Sequence, residues 1–201
     1  FRDQLLEIIK SVKTSRVLFL VDDIIFKEDL DIDDLAKFDP LRYVLSLRMA
    51  PSYTRNYTFN VEQKKPEFSK IENNELNRWE WSKGEYDWNY PVSVDGHLFL
   101  TKEILFLSEN TAFTTPNSYE GNLNSHKRFF VNRYGLCYDK SKIINLPINR
   151  VNIDSENLAG SIDPEFLLKK WNEGMQIDYK AVYGFNNISA HQEIPISFTK
   201  R

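Results

Sequence analysis

The chain has 201 residues, 41% hydrophobic and 27% charged, a balance that suits one globular domain with a sizeable core and is too apolar for a disordered segment. Lys and Arg number 26 against 29 Asp and Glu, so the formal net charge of −3 leaves no cationic surplus to grip nucleic-acid phosphates. The single cysteine, Cys137, excludes an internal disulfide framework and a cysteine-rich zinc centre, and no apolar run reaches the roughly 20 residues that span a bilayer.

Phe1, Leu5, Ile8, Ile9 and Val12 recur at helical spacing, which predicts an amphipathic helix over residues 1–13. That helix is already under way at Phe1 with no signal peptide before it, so the expectation is a fragment of a longer chain located in the cytoplasm. The run Val17–Val21 reads as a buried central strand that ends at Asp22-Asp23. An acidic helix or turn follows over 29–37, then a strand over 42–48. Residues 50–70 read as polar loop with a short strand near Tyr57–Phe59, and 79–91 are dense in aromatics. Gly96–Leu100 reads as a strand, Thr101–Ser108 as a helix capped by Thr101, and Tyr119–Asn132 as another helix. Residues 136–139 and 142–146 are expected to pair as a hairpin around Lys140-Ser141. Asp163-Pro164 opens a helix that Gly174 stops, and the tail over 182–198 is irregular. Helices and strands interleave, so an α/β class is expected, with residues 1–201 forming one domain.

Asp22 and Asp23 end an apolar strand, where open α/β sheets bind ligands. Paired carboxylates there suit a hard divalent cation, Mg²⁺ or Mn²⁺; a solvated turn or a helix cap accounts for them equally well. Glu120, early in a helix, has the chemistry of a general base and also of a dipole-favoured first-turn acid. His191 offers an imidazole to a metal, or caps a loop; His97 lies in an alternating strand, hydrogen-bonded in the interior or facing a substrate. Trp79, Trp81, Trp88 and Tyr90 form either a sugar-stacking wall or a core, with Asp87 and Asp95 beside them to hold hydroxyl groups. Asn56-Tyr57-Thr58 and Asn187-Ile188-Ser189 match the N-glycosylation pattern. A phosphate loop, a dinucleotide fingerprint, a nucleophile elbow and an HExxH motif are all missing from the sequence.

The segment Val17-Leu18-Phe19-Leu20-Val21-Asp22-Asp23-Ile24 resembles the strand and Asp-X-Asp-type signature of nucleotide-sugar glycosyltransferases of GT-A fold, family 2 in particular. Residues 93–105 are similar to that family's acceptor-side strand and helix, and Pro116–Leu123 resembles the segment bearing its Glu-Asp pair. The resemblance spans residues 1–132 and departs at Gly121, where the family usually has the basic Asp. It implies a GT-A-like mixed sheet flanked by helices, truncated at its N-terminal nucleotide-binding part. It also implies an inverting transferase that moves a sugar from a nucleotide diphosphate to an acceptor hydroxyl. Asp22 and Asp23 would bind the cation and the donor diphosphate, with His191 as a further metal ligand. Glu120 would be the base with Asp95 in reserve, and Trp88, Asp87, Asp95 and His97 would line the acceptor. A carbohydrate-binding domain without catalysis, and a metal-dependent phosphohydrolase or nucleotidyltransferase, are the alternatives.

Overall fold

Tyr43-Val44-Leu45-Ser46 alternates its burial between two apolar clusters, Val44 into one and Leu45 into the other, as a strand covered on both faces must. A computed structural model describes residues 1–71, 76–148 and 160–201. In chain order its elements are α1 (Arg2–Ser11), β1 (Arg16–Leu18), β2 (Ile24–Phe26), α2 (Asp34–Lys37), β3 (Tyr43–Ser46), β4 (Arg55–Asn56), β5 (Val61–Glu62), β6 (Ser69–Lys70) and β7 (Asn77–Glu80). Then come β8 (Leu98–Leu100), α3 (Thr101–Glu109), α4 (Pro116–Asn124), β9 (Tyr134–Cys137), β10 (Ile143–Asn145), α5 (Pro164–Asn172), β11 (Met175–Ile177) and β12 (Phe198–Lys200). The class is mixed α/β with several small sheets.

The main sheet runs β3-β9-β7-β6, with β3 and β9 parallel and the other pairs antiparallel. Its larger cluster receives Ile9 from α1, Ile104 and Leu107 from α3, and Tyr119 and Leu123 from α4. Trp79, Trp81 and Trp88 fill the middle, with Trp79 and Trp88 edge to face at 5.1 Å. Burying each such large side chain contributes about 1.5–3 kcal/mol. Gly135 lies opposite Trp79 in register, and a Cβ there would come within 2.2 Å of the indole, so only glycine lets the ring lie across β9.

Several sequence expectations give way. The 17–21 run is not a central strand: β1 is half-buried, pairs with β8, and leaves the sheet after Leu18. Residues 136–146 do not make a hairpin, because β9 is inserted between β3 and β7 while β10 pairs with β2. Long-range partners outcompete the local turn. Tyr57–Phe59 falls in the turn between β4 and β5. Thr101 is the first residue of α3, and its hydroxyl donates to the Thr14 carbonyl at 2.9 Å instead of capping the helix. The helix expected to reach residue 132 stops at Asn124, where the Ser125 hydroxyl takes the Asn122 carbonyl at 2.6 Å. The Asp163 cap holds, its side chain accepting from the Glu165 amide. The tail gains order at its end, where β12 pairs with β11. No helix among the described residues is long and apolar enough to cross a membrane.

Candidate functional site

Arg48 lies two residues past the end of β3, and its buried guanidinium organises the centre of the molecule. Nη2 donates to Asp87 Oδ1 at 2.6 Å; Nη1 donates to Asp95 Oδ2 at 3.0 Å and to Ser93 Oγ at 3.2 Å. Burial works against the guanidinium charge, and Asp95 and Asp87 more than restore it, so its pKa moves up. Asp95 is aimed by its neighbour Gly96, whose φ of 76° turns the chain there. A Cβ on Gly96 would also strike Ile143 Cδ1 at 2.5 Å. The turn is clamped by Gly96 N–H donating to the Phe19 carbonyl and Leu47 N–H donating to the Gly96 carbonyl.

A second group arrives through the β2–β10 pairing, which sets Asn145 opposite Ile24, the residue after Asp23. Asn145 Nδ2 donates to Asp23 Oδ1 at 2.8 Å and reaches Asp95 Oδ2 at 3.5 Å. On its other side Asn145 bridges in parallel to His191. His191 Nε2 lies 3.7 Å from Asp95 Oδ2. The loop carrying His191 is tied down by Asn187, which donates to the Tyr53 hydroxyl and to the Ser189 carbonyl and accepts from Ser141.

Glu120 enters from α4, which starts at a Thr115 capping box with Pro116 in its first turn. Its Oε1 accepts from Ser93 Oγ at 2.7 Å and from the Val94 amide at 3.1 Å. Ser93 therefore connects Glu120 to Arg48.

The electrostatics of this cluster are lopsided. The guanidinium bonds Asp87 and Asp95 and acts on Glu120 at longer range, while Asp23 stands beside Asp95 without it. Burial, and then the nearby Asp95, push Asp23 up to about 6. Burial raises Glu120, opposed by the Ser93 hydrogen bond and by Arg48. Burial and Arg48 lower His191, which leaves a neutral imidazole with a lone pair to give. Asp95 Oδ1 and Asn145 Oδ1 are buried oxygens without a hydrogen-bond partner. An excess of negative charge beside unpaired oxygen acceptors fits a hard divalent cation by donor chemistry. Among the described residues, no three His, Cys, Asp or Glu side chains are already drawn in to ligating distance.

The structure thus brings Asp23, Asp95, Glu120 and His191 to one network, along with Asp87. Asp22 does not join Asp23: its side chain is exposed, while Asp23 turns to Asn145. Trp88 is wholly buried in the core and offers no face to a sugar, which corrects the stacking expectation. Trp79 and Trp81 are buried alike. Asp87 accepts from Arg48, Asn56 and Gln63, so its carboxylate is saturated by protein and has no capacity for a hydroxyl ligand. His97 is buried, with Nδ1 at 3.2 Å from the Pro91 carbonyl, and burial and Arg48 hold its pKa down to about 3. It is a core residue. Asn56 and Asn187 are both buried and hydrogen-bonded, so neither glycosylation match is open to modification in the folded chain.

Arg48, Ser93 and Asn145 escaped the sequence reading. Asn145 had a signal, a polar residue inside the apolar run Ile143-Ile144-Asn145-Leu146. Arg48 had one too, as a cation closing an apolar strand. Ser93 had none.

No protein-family model, curated protein or solved structure matches this chain significantly.

Proposed function

We propose that the chain is the metal and acceptor part of a sugar-nucleotide glycosyltransferase of GT-A type. It acts with inversion and depends on a divalent cation, Mg²⁺ or Mn²⁺. The observation that carries this reading is the convergence of Asp23, Asp95, Asn145 and His191 on one side of Arg48 and of Glu120 on the other. Asp23, Asp95, Asn145 and His191 would hold the cation, with Asp22 bordering them from solvent. When bound, such an ion neutralises charge on a departing nucleotide diphosphate.

The protein's own groups supply the rest. Glu120 accepts the proton of the attacking hydroxyl through Oε2, since Oε1 already holds two donors. Its buried carboxyl is raised toward neutrality, where a base is most useful. Ser93 and the Val94 amide hold Oε1 and so fix the orientation of the carboxyl group. Arg48 holds Asp95 in place and offsets part of the negative charge. The attacking hydroxyl displaces the diphosphate from the anomeric carbon in one step, its proton passing to Glu120. Gly121 takes the family's aspartate position on the exposed side of α4, where an added Cβ would meet no atom within 4 Å.

The test is release of nucleoside diphosphate from a panel of sugar nucleotides, with and without Mn²⁺ and saccharide acceptors. Mn²⁺-dependent release that Asp23→Ala abolishes is expected. Glu120→Gln should lower kcat far more than it raises KM. Binding of saccharide with no turnover of any sugar nucleotide would replace this reading with that of a carbohydrate-binding domain.

A further inference from the structure

The tryptophans expected to stack on sugar are buried, yet an exposed aromatic pair lies beside the site. Phe59 and Tyr86 are 64% and 44% exposed, and their rings pack at 5.6 Å between centroids with 43° between planes. Two large apolar rings held against one another in water are costly to solvate and leave open faces.

Both rings sit on chain that is fastened to the charged cluster. Phe59 N–H donates to Asn56 Oδ1 at 2.9 Å, and Asn56 Nδ2 donates to Asp87 Oδ2 at 2.8 Å. Tyr86 is the residue before Asp87, the carboxylate that grips Arg48. The turn carrying Phe59 is braced from its other end, where the Tyr57 hydroxyl donates to Glu193 at 2.9 Å. Tyr86 itself occupies the left-handed region at φ 47°, which a bulky side chain rarely adopts. The buried Asp87 and Trp88 next to it hold that conformation. A left-handed backbone thus keeps an aromatic ring in solvent, on chain fastened through Asp87 to Arg48.

Planar polar side chains neighbour both ring-bearing residues along the chain. Arg55 donates to Asn60 Oδ1 at the same turn, and Glu85 precedes Tyr86 and accepts from the Lys64 amide at 3.2 Å. Apolar ring faces edged by amide, guanidinium and carboxylate groups match the surface of a pyranose, whose C–H face packs on π-systems while its rim hydroxyls seek planar partners. We infer that Phe59 and Tyr86 form a saccharide platform, and that the acceptor of the proposed transfer is itself a sugar. This deepens the transferase reading and rests on it only for the word acceptor.

The experiment uses the whole chain on an array of neutral and acidic oligosaccharides, followed by saturation-transfer NMR with the strongest binder. Saturation should pass from aromatic to pyranose protons. Phe59→Ala and Tyr86→Ala should each weaken binding at least about fivefold. Tyr86→Gly is the sharper variant, since glycine suits φ 47°. It should lose saccharide binding while Tm stays at or above that of the parent protein. Binding to no saccharide on the array overturns the platform. So does unchanged binding in both alanine variants, or loss of binding in Tyr86→Gly only together with a lower Tm. Mn²⁺-dependent turnover with intact kinetics for saccharide acceptors in both alanine variants would remove the platform and leave the transferase. Saccharide binding that needs both rings, without turnover of any sugar nucleotide, would remove the transferase and leave the platform.

Discussion

Two carboxylates share the Arg48 guanidinium, and their surroundings differ. Asp87 is closed off: Arg48, Asn56 and Gln63 fill its oxygens, and Trp88 packs beside it. Asp95 is left open on one side, with Oδ1 unpartnered and Asp23, Asn145 and His191 gathered near Oδ2. The same cation on the same strand end thus makes a structural bond in one direction and a chemically unfinished site in the other. Capacity for a ligand is found where hydrogen bonding stops short, and charge alone does not mark it.

The comparison breaks most visibly at the closed end. Asp87→Ala strands a buried guanidinium and should cost about 3–5 kcal/mol of stability, read by urea unfolding. At the open end, Asp95→Asn keeps a partner for Arg48 and relieves repulsion on Asp23. Its stability loss should be under about 1.5 kcal/mol, while Mn²⁺ affinity, followed by electron paramagnetic resonance, should fall more than about tenfold. A Mn²⁺ affinity unchanged by Asp95→Asn would erase the distinction between the two ends.

Protonation sharpens it further. Folding raises Asp23 from its ordinary 3.8 to about 6, so the folded state binds the extra proton between those values. The stability that Asp23 contributes is then greatest below about pH 4, declines as pH rises through the window to about 6, and is level above it. Asp23→Asn should flatten that slope in equilibrium unfolding across pH 3.5–7. A matching carboxyl titration by NMR should move down in Asp95→Asn, since Asp95 is one cause of the rise. The smallest effect belongs to the periphery: Leu168 is 59% exposed on α5, and Leu168→Ala should change stability by less than about 0.5 kcal/mol.

What the sequence disclosed follows the reach of each signal. Asp163-Pro164 and the Phe1-to-Val12 periodicity act within a turn or two of helix, and both helices form. Asp23, Asp95, Glu120 and His191 were visible as chemistry-bearing types, though nothing in the chain fixed their meeting. That depends on the β2–β10 register, which joins segments more than a hundred residues apart, and on the Gly96 turn. The tryptophans failed as sugar binders because aromatic density signals a core as readily as a surface. Phe59 and Tyr86 were passed over because a lone Phe in a polar loop and one Tyr among many carry no pattern of their own.

The position of Asn145 has a consequence for biosynthesis. It is flanked by Asp23 on one side and by His191 on the other, residues far apart in sequence, so neither segment holds the arrangement without the other. As the chain leaves the ribosome, the oxygen cluster stays incomplete until His191 has emerged. A nascent or clipped product ending before His191 would carry the acids but not the finished cradle.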